Sequence, residues 1–361
     1  MPSSLARKNI YTIAPYEAGK PIAEVRREFG LTNIVKLASN ENPLGPSPLA
    51  VRAIQKHASQ VNLYPEGSCH DLRLALAKMY RLKPDHLFFG NGSNELLVLL
   101  GLAFLNQGDE VVFSGESFFV YQTVCDLMRA KAVVVPAVAH AHDLPAMAKA
   151  VTKKTKMVFL CNPNNPTGTG LKYREVAAFM QKMPTHCLVV FDTAYAEYVL
   201  DLDFGWGLPH LNGKTPVVIL RTFSKFYGLA GLRIGYGIAR PEITRAIERV
   251  RQPFNVDVLA QTAALAALSD TAFHRRVLQT NEDGKKYFYT ELRRMGLEYT
   301  PTSANFVFIK LPIPGREAFQ KLLRKGVIIR PMPGDFIRVT IGTARENIVF
   351  FRALAGVLSR A

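Results

Sequence analysis

The stretch 220-LRTFSKFYGLAGLRIGYG-237 sets one lysine, Lys225, between a strand-like apolar run and a turn rich in glycine and aromatics, with Arg233 eight residues further on. The chain has 45 Lys and Arg, and a lysine that only has to stay solvated needs no such setting. A lysine that must lose its proton and become a nucleophile does.

The same alternation of short apolar runs and turns extends outward over residues 85–240. Strand candidates are 86-HLFFG, 110-EVVFS, 132-AVVVPAV, 156-KMVFLC, 187-CLVVFD, 216-PVVIL and 233-RIGYGIA. Helical spacing fits 94-NELLVLLGLAFL, 118-FFVYQTVCDLMR, 173-YREVAAFMQKM and 241-PEITRAIERVRQ. Apolar strands separated by helices imply an α/β fold whose mostly parallel sheet is covered on both faces. After residue 256 the pattern turns to long helical stretches, then to a small α+β unit with 305-NFVFIKL, 316-REAFQKLLRKG, 336-FIRVTIG and 344-ARENIVFFRALAGVL. The expected organisation is an N-terminal arm over 1–35 packing with the small domain, a large domain with a seven-stranded sheet over 36–255, and a smaller C-terminal domain over 256–361.

At 361 residues, 48% hydrophobic and 20% charged, the chain can bury a sizeable core. It shows no low-complexity tract and no solenoid repeat. The opening MPSSLARKNIYTIAPY has no apolar core of signal-peptide length, and no run reaches the roughly 18 apolar residues of a membrane span. Cys69, Cys125, Cys161 and Cys187 are far apart, with no CxxC pair and no metal-ligand rhythm, so a reducing cytoplasm and no metal are expected. The formal charge of +16 is spread along the whole chain without a basic block. A solvated basic surface that helps draw in phosphorylated or carboxylate substrates is the expectation, rather than nucleic-acid or membrane binding.

In open α/β sheets ligands gather beyond the carboxyl ends of the strands, so the polar residues found there should belong together chemically. After HLFFG, Gly92, Ser93 and Asn94 lead into a helix N-terminus, whose free N–H groups and dipole suit a phosphate; an ordinary cap by Ser93 or Asn94 reads the same letters. After KMVFL, 161-CNPNNPTGTG forms a tight Asn-Pro turn that can aim an asparagine inward, although any loop can hold such a turn. Asp192 ends the run CLVVF, partly desolvated and in need of a cation or of donors, unless it is a simple cap; Tyr195 can point into the same space. After PVVIL come Thr222, Ser224, Lys225 and Arg233. Together these residues match a pyridine with a phosphate arm, a phenolic oxygen and an aldehyde, and the aldehyde would take the Lys225 amine as a Schiff base.

On 36-KLASNENPLGPSP, 62-NLYPEGSCHDLRLALA, 90-GNGSNE, 161-CNPNNPTG, 192-DTAY, 221-RTFSKFYGLAGLRIGYG, 327-VIIRP and 337-IRVTIGT, the sequence resembles the fold-type I, pyridoxal-phosphate-dependent aminotransferases of class I and II. Among these it is most similar to the histidinol-phosphate aminotransferases. The motifs run in the family's order over nearly the whole chain. The resemblance makes residues 36–255 the cofactor domain, with Lys225 linked to the cofactor and shuttling the proton, and Asp192 pairing with the pyridine nitrogen. It implies that Asn165 and Tyr195 bond the phenolic oxygen and that Phe118 stacks on the ring. Gly92, Ser93, Asn94, Thr222, Ser224 and Arg233 would hold the phosphate. Tyr64 would reach that phosphate from the other subunit, which implies a homodimer with shared sites.

For substrate, Arg338 matches the family's α-carboxylate arginine. Arg330 matches a second arginine for the distal carboxylate of glutamate or for a substrate phosphate, and Asn165 lies beside the same anion. Tyr16 looks like the arm residue that closes over substrate. The implied reaction is amino transfer between L-histidinol phosphate and 2-oxoglutarate or glutamate, a step of histidine biosynthesis. An aromatic amino-acid aminotransferase, an O-phospho-threonine decarboxylase and a non-catalytic binding protein on the same fold are the alternatives. Two departures fall on the substrate side: 331-PMPGDFI is short for the family's hairpin, and Phe118 lacks a tyrosine's hydroxyl.

Overall fold

The computed structural model describes residues 5, 7–15 and 19–359. Its main sheet has seven strands, ordered Leu87–Gly90, Gly235–Ala239, Val217–Thr222, Leu188–Asp192, Thr155–Cys161, Glu110–Ser114 and Lys131–Val135 from one edge to the other. All run parallel except Gly235–Ala239, which is antiparallel to both of its neighbours. The five central strands have almost every residue buried, because helices cover both faces and leave no solvent side for polar alternation.

Alternate residues of each strand feed two cores. On one face Val189, Phe191 and Ile219 meet Leu72, Leu76, Met147 and Val176. On the other, Val190, Val218 and Phe159 meet Leu96, Leu100, Val124 and Ile247. Every one of these strands lies on one of the apolar runs. The helices Pro48–His57, His70–Tyr80 and Leu144–Ala150 carried no such expectation. The first hides in a Pro- and Gly-rich stretch, yet Ser47 caps it by accepting the N–H groups of Leu49 and Ala50, and Pro48 stands where its missing N–H costs nothing.

A second sheet of four antiparallel strands, ordered Arg330–Pro331, Phe336–Thr340, Phe306–Lys310 and Tyr299–Thr300, packs with Phe288, Leu322 and Phe350 in a core of its own. The alanine-rich helix Val258–Ser269 packs instead on Pro48–His57, so the main-sheet core continues past residue 256 through Val277 to Phe306. Within the arm, the helix Ile22–Phe29 buries Val25 against Ala38, Leu323 and Ile328, whereas the turn Lys8–Thr12 lies along the helix Val120–Met128. There the Asn9 Nδ2 donates to the Asp126 carbonyl at 2.7 Å. All four cysteines are buried and free. Among the described residues no helix is long and apolar enough to cross a membrane, and no group of three or more His, Cys, Asp or Glu side chains is placed to hold a metal.

Residues 36–47 cross between the two sheets. Val35 and Lys36 pair in parallel with Val327 and Ile328, and further on the Asn42 Nδ2 donates to the Phe226 carbonyl at 2.7 Å. Gly228 makes that crossing possible. Its φ is +70°, and a Cβ there would stand 2.2 Å from the Gly45 carbonyl oxygen. Gly228→Ala should therefore lower the urea midpoint of the protein, by at least the ~1–2 kcal/mol that left-handed backbone costs an L residue. Gly231→Ala, where a Cβ meets nothing within 4 Å, should leave the midpoint nearly unchanged. Equal midpoints for the two variants would contradict this account.

Candidate active site

The carboxyl ends of the central strands bring the expected side chains together. Asp192, the last residue of its strand, is 3% exposed. The Tyr121 hydroxyl donates to its Oδ2 at 2.9 Å, while Oδ1 is buried without a partner. Burial pushes the carboxyl up to about 6, against the Tyr121 hydrogen bond, the Ala194 N–H and Lys225, which act to lower it. The simple-cap reading of Asp192 does not account for a buried oxygen with nothing to accept.

Lys225 follows the strand Val217–Thr222 on its loop, and its Nζ donates to the Ser39 carbonyl at 2.9 Å. Burial first, then Arg338, Arg233 and Lys36, bring its ammonium down to about 8, with Glu41 opposing. At pH 7 about a tenth of such an amine is neutral, against a few parts in ten thousand for an ordinary lysine. The Tyr195 ring centroid lies 6.0 Å from Nζ, and the Tyr195 hydroxyl accepts the Asn40 Nδ2 at 2.9 Å. Burial pushes the Tyr195 phenol up to about 12, while Arg338 and the Asn40 hydrogen bond pull the other way. Phe118 sets its ring edge-on to Tyr121, 5.9 Å between centroids, and Tyr121 in turn stacks on Phe159 at 4.4 Å.

At the neighbouring strand end the helix Ser93–Phe104 starts directly after Gly92, with φ +84°. Ser93 and Asn94 sit inside the first turn and no side chain caps it. The ordinary-cap reading of these two residues is thereby corrected: Gly92 holds the cap position and offers only backbone. A Cβ on Gly92 would stand 2.6 Å from Arg233 Nη2, and a Cβ on Gly235 would stand 2.6 Å from the Ser93 nitrogen. Two glycines thus let a guanidinium and a strand close on the helix's positive end. The Thr222 hydroxyl accepts the Ser224 N–H at 3.1 Å on the same loop.

The second sheet supplies the cations. Arg338 donates through Nη1 to Asn165 Oδ1 and through Nη2 to the Ala38 carbonyl, and its guanidinium lies 5.3 Å from the Phe306 ring centre. Arg330 stands directly opposite Arg338 on the adjacent strand, so both side chains leave the same face of the sheet. Tyr64 is not in this cluster. It is 84% exposed and stacks on Phe254, with ring centroids 4.8 Å apart. Tyr16 lies outside the described residues. Tyr121 and Asn40 were missed by sequence reasoning. A tyrosine on the apolar face of 118-FFVYQTVCDLMR needed a partner for its hydroxyl, which was the available signal; Asn40 had none.

This donor set suits a phosphate-bearing pyridine aldehyde: a buried carboxylate oxygen awaiting a donor, a lysine of lowered pKa, and a helix N-terminus with an arginine beside it. The comparisons with known proteins agree. The model of the family "Aminotransferase class I and II" matches residues 32–354. The chain is therefore a member of the class I and II aminotransferases. It is 48% identical over 360 residues to the histidinol-phosphate aminotransferase of Moorella thermoacetica, covering 98% of this chain and 93% of that one. To histidinol-phosphate aminotransferase 2 of Carboxydothermus hydrogenoformans it is 45% identical, covering 98% and 99%. The crystal structure of histidinol-phosphate aminotransferase from Sinorhizobium meliloti in complex with pyridoxal-5'-phosphate superposes with a TM-score of 0.92 at 28% identity, covering 99% and 98%. Within its class, the chain belongs to the histidinol-phosphate aminotransferase family.

The raised carboxyl of Asp192 has a consequence for stability. Its folded value, about 6, lies above the ordinary 3.8, so the protonated form favours folding. That stability is fully present below pH ~4 and is lost as pH rises through ~6. For a two-unit difference the change is on the order of 2–3 kcal/mol. In cofactor-free protein, Asp192→Asn should gain stability over the wild type at pH 7.5 and show no such gain at pH 4, by urea unfolding. A pH-independent difference would show that the buried carboxylate is already paired.

Proposed function

We propose that this chain moves an amino group between L-histidinol phosphate and 2-oxoglutarate or glutamate, using pyridoxal 5'-phosphate, in the cytoplasm. The observation that carries the substrate is the opposition of Arg330 and Arg338 across adjacent strands. Side chains directly opposite on adjacent antiparallel strands leave the same face close together, so two guanidinium groups there can grip one anion between them. Forked guanidinium groups accept either a carboxylate or a phosphate, which a pocket serving both substrates requires.

Bound pyridoxal phosphate supplies an aldehyde for the amino group and a ring that draws electrons from the substrate's α-carbon. Asp192, oriented by Tyr121, would keep the proton on the ring nitrogen. Lys225 Nζ would take the α-carbon proton and return it to the cofactor's former aldehyde carbon, a task suited to an amine that burial brings down to about 8. Tyr195 and Asn165 would hold the phenolic oxygen and Phe118 would face the ring. The backbone of Gly92, Ser93 and Asn94, with Thr222, Ser224 and Arg233, would hold the phosphate. Arg338 and Arg330 would seat the substrate anion, and Tyr16 is proposed to close over it. The stacked Phe308–Phe336 pair, 4.7 Å between centroids and on the arginine face, would suit an aromatic amino acid as well and keeps that second reading open.

We further propose a homodimer with shared sites. Val61, Leu63, Tyr64 and Phe254 are 63%, 64%, 84% and 45% exposed, an apolar stretch suited to burial against a second copy.

The substrate is tested on the arginines. Removing one partner of a buried charge pair costs about 2–5 kcal/mol, so Arg338→Ala should lower kcat/KM for both histidinol phosphate and glutamate by roughly 30- to 5,000-fold. Arg330→Ala should impair glutamate and spare phenylalanine, which has no distal charge. A wild type that prefers phenylalanine or tyrosine to histidinol phosphate would overturn the substrate and leave the family standing. The shared site is tested by mixing Tyr64→Phe with Lys225→Ala protein under proven subunit exchange. Activity should rise above both parents, because half of each heterodimer's sites are intact; no rise would place Tyr64 outside the partner's site.

A further inference from the structure

Asn40 is 1% exposed and stands in left-handed backbone, φ +55°, which asparagine tolerates better than most residues. Its backbone N–H donates to Thr340 Oγ1 at 2.9 Å, and the Thr340 hydroxyl gives its own proton to Asn40 Oδ1 at 3.2 Å. The Asn305 Nδ2 holds the Asn40 carbonyl at 3.1 Å. With Oδ1 committed to Thr340, Nδ2 has to face the Tyr195 hydroxyl, 2.9 Å away. Turning the amide over would leave the Thr340 proton without this acceptor and would consume the proton of Tyr195. The network therefore has a direction: Thr340 donates to Asn40, and Asn40 donates to Tyr195.

A phenol has one proton and two lone pairs. Because Asn40 fills a lone pair, the Tyr195 proton points elsewhere and is free for an acceptor. We propose that Asn40, held by Thr340, is a positioning residue that commits the Tyr195 hydroxyl to donate toward the cofactor's phenolic oxygen. This rests on the reading of Tyr195 given above. A donor on that oxygen competes with the proton on the cofactor-linked Lys225 nitrogen, and so lowers that nitrogen's pKa. Asn40 makes no contact with substrate or cofactor in this scheme and acts only through Tyr195.

The measurement is a pH titration of the visible absorption of the Lys225-linked cofactor in the holoenzyme. The titratable and charged groups facing Lys225 are Arg338, Glu41, Arg233, Lys36 and Asp192, and those facing Tyr195 are Arg338, Asp192, Cys161, Tyr198 and Lys225; all are kept in every variant. Tyr195→Phe should raise the titration midpoint. Asn40→Ala should raise it by about half to one unit, the worth of one neutral hydrogen bond. Added to Tyr195→Phe, Asn40→Ala should raise it no further, because its path is already cut. Thr340→Val should shift the midpoint upward and Thr340→Ser should restore it, which tests the relay even if Asn40→Ala does not fold. An unshifted midpoint in both Asn40→Ala and Thr340→Val, or a full additional shift in the double variant, overturns the inference while the Tyr195 reading stands. An unshifted midpoint in Tyr195→Phe overturns both.

Discussion

Two consecutive carbonyls on the crossing segment, Ala38 and Ser39, accept hydrogen bonds from the Arg338 guanidinium and the Lys225 ammonium. The site depends on this arrangement. Lysine and arginine come from different sheets, and each pushes against the other's charge. The crossing segment runs between them as buried backbone, whose polar groups must find partners, and the two cations are those partners. The same segment is bound on both sides: Leu37 accepts the Thr340 N–H at 2.8 Å, and Asn42 holds Phe226. The chain from 36 to 47 thus sets how far the sheet that carries Arg338 stands from the lysine.

Burial moves the two central titrating groups toward neutrality from opposite sides. The Lys225 ammonium is brought down to about 8 and the Asp192 carboxyl up to about 6. Both groups are costly in their charged forms, and neither finds a direct partner in the other. A ligand that offers a ring N–H to one and an aldehyde to the other offsets both costs at once. A buried carboxylate oxygen with no donor is costly on its own, and in the proposed role of Asp192 the ring N–H would supply that donor.

The strand ends were legible in the sequence because each candidate residue follows a short apolar run within a few positions. Asp192 after 187-CLVVF, Lys225 after 216-PVVIL and Gly92 after 86-HLFFG needed only the rule that ligands gather at carboxyl ends. Asn40 and Tyr121 were not legible in this way. Asn40 meets Tyr195 across 155 residues, and Tyr121 meets Asp192 across 71. No local period encodes either contact; only the folded sheet brings them together. The helix Pro48–His57 escaped for a different reason: proline and glycine around 42-NPLGPSP read as loop, and Ser47 overrode them with a cap. The core's continuation past residue 256 was hidden too, since the alanines of Val258–Ser269 pair with a helix more than 200 residues earlier.

The brevity of 331-PMPGDFI, a departure in the sequence, is a constraint in the structure. Met332 N–H donates to the Phe336 carbonyl at 2.9 Å, and Gly334 turns the chain at φ +70°. So tight a hairpin fixes the pairing of its strands, because turn length sets register. A one-residue slip would send Arg330 to the opposite face from Arg338. The short turn keeps the two in register on one face of the sheet. A longer hairpin leaves the pairing less constrained, and any shift of register would part the two side chains. The short hairpin is the element that holds two arginines side by side on one face, the arrangement on which the proposed anion site rests.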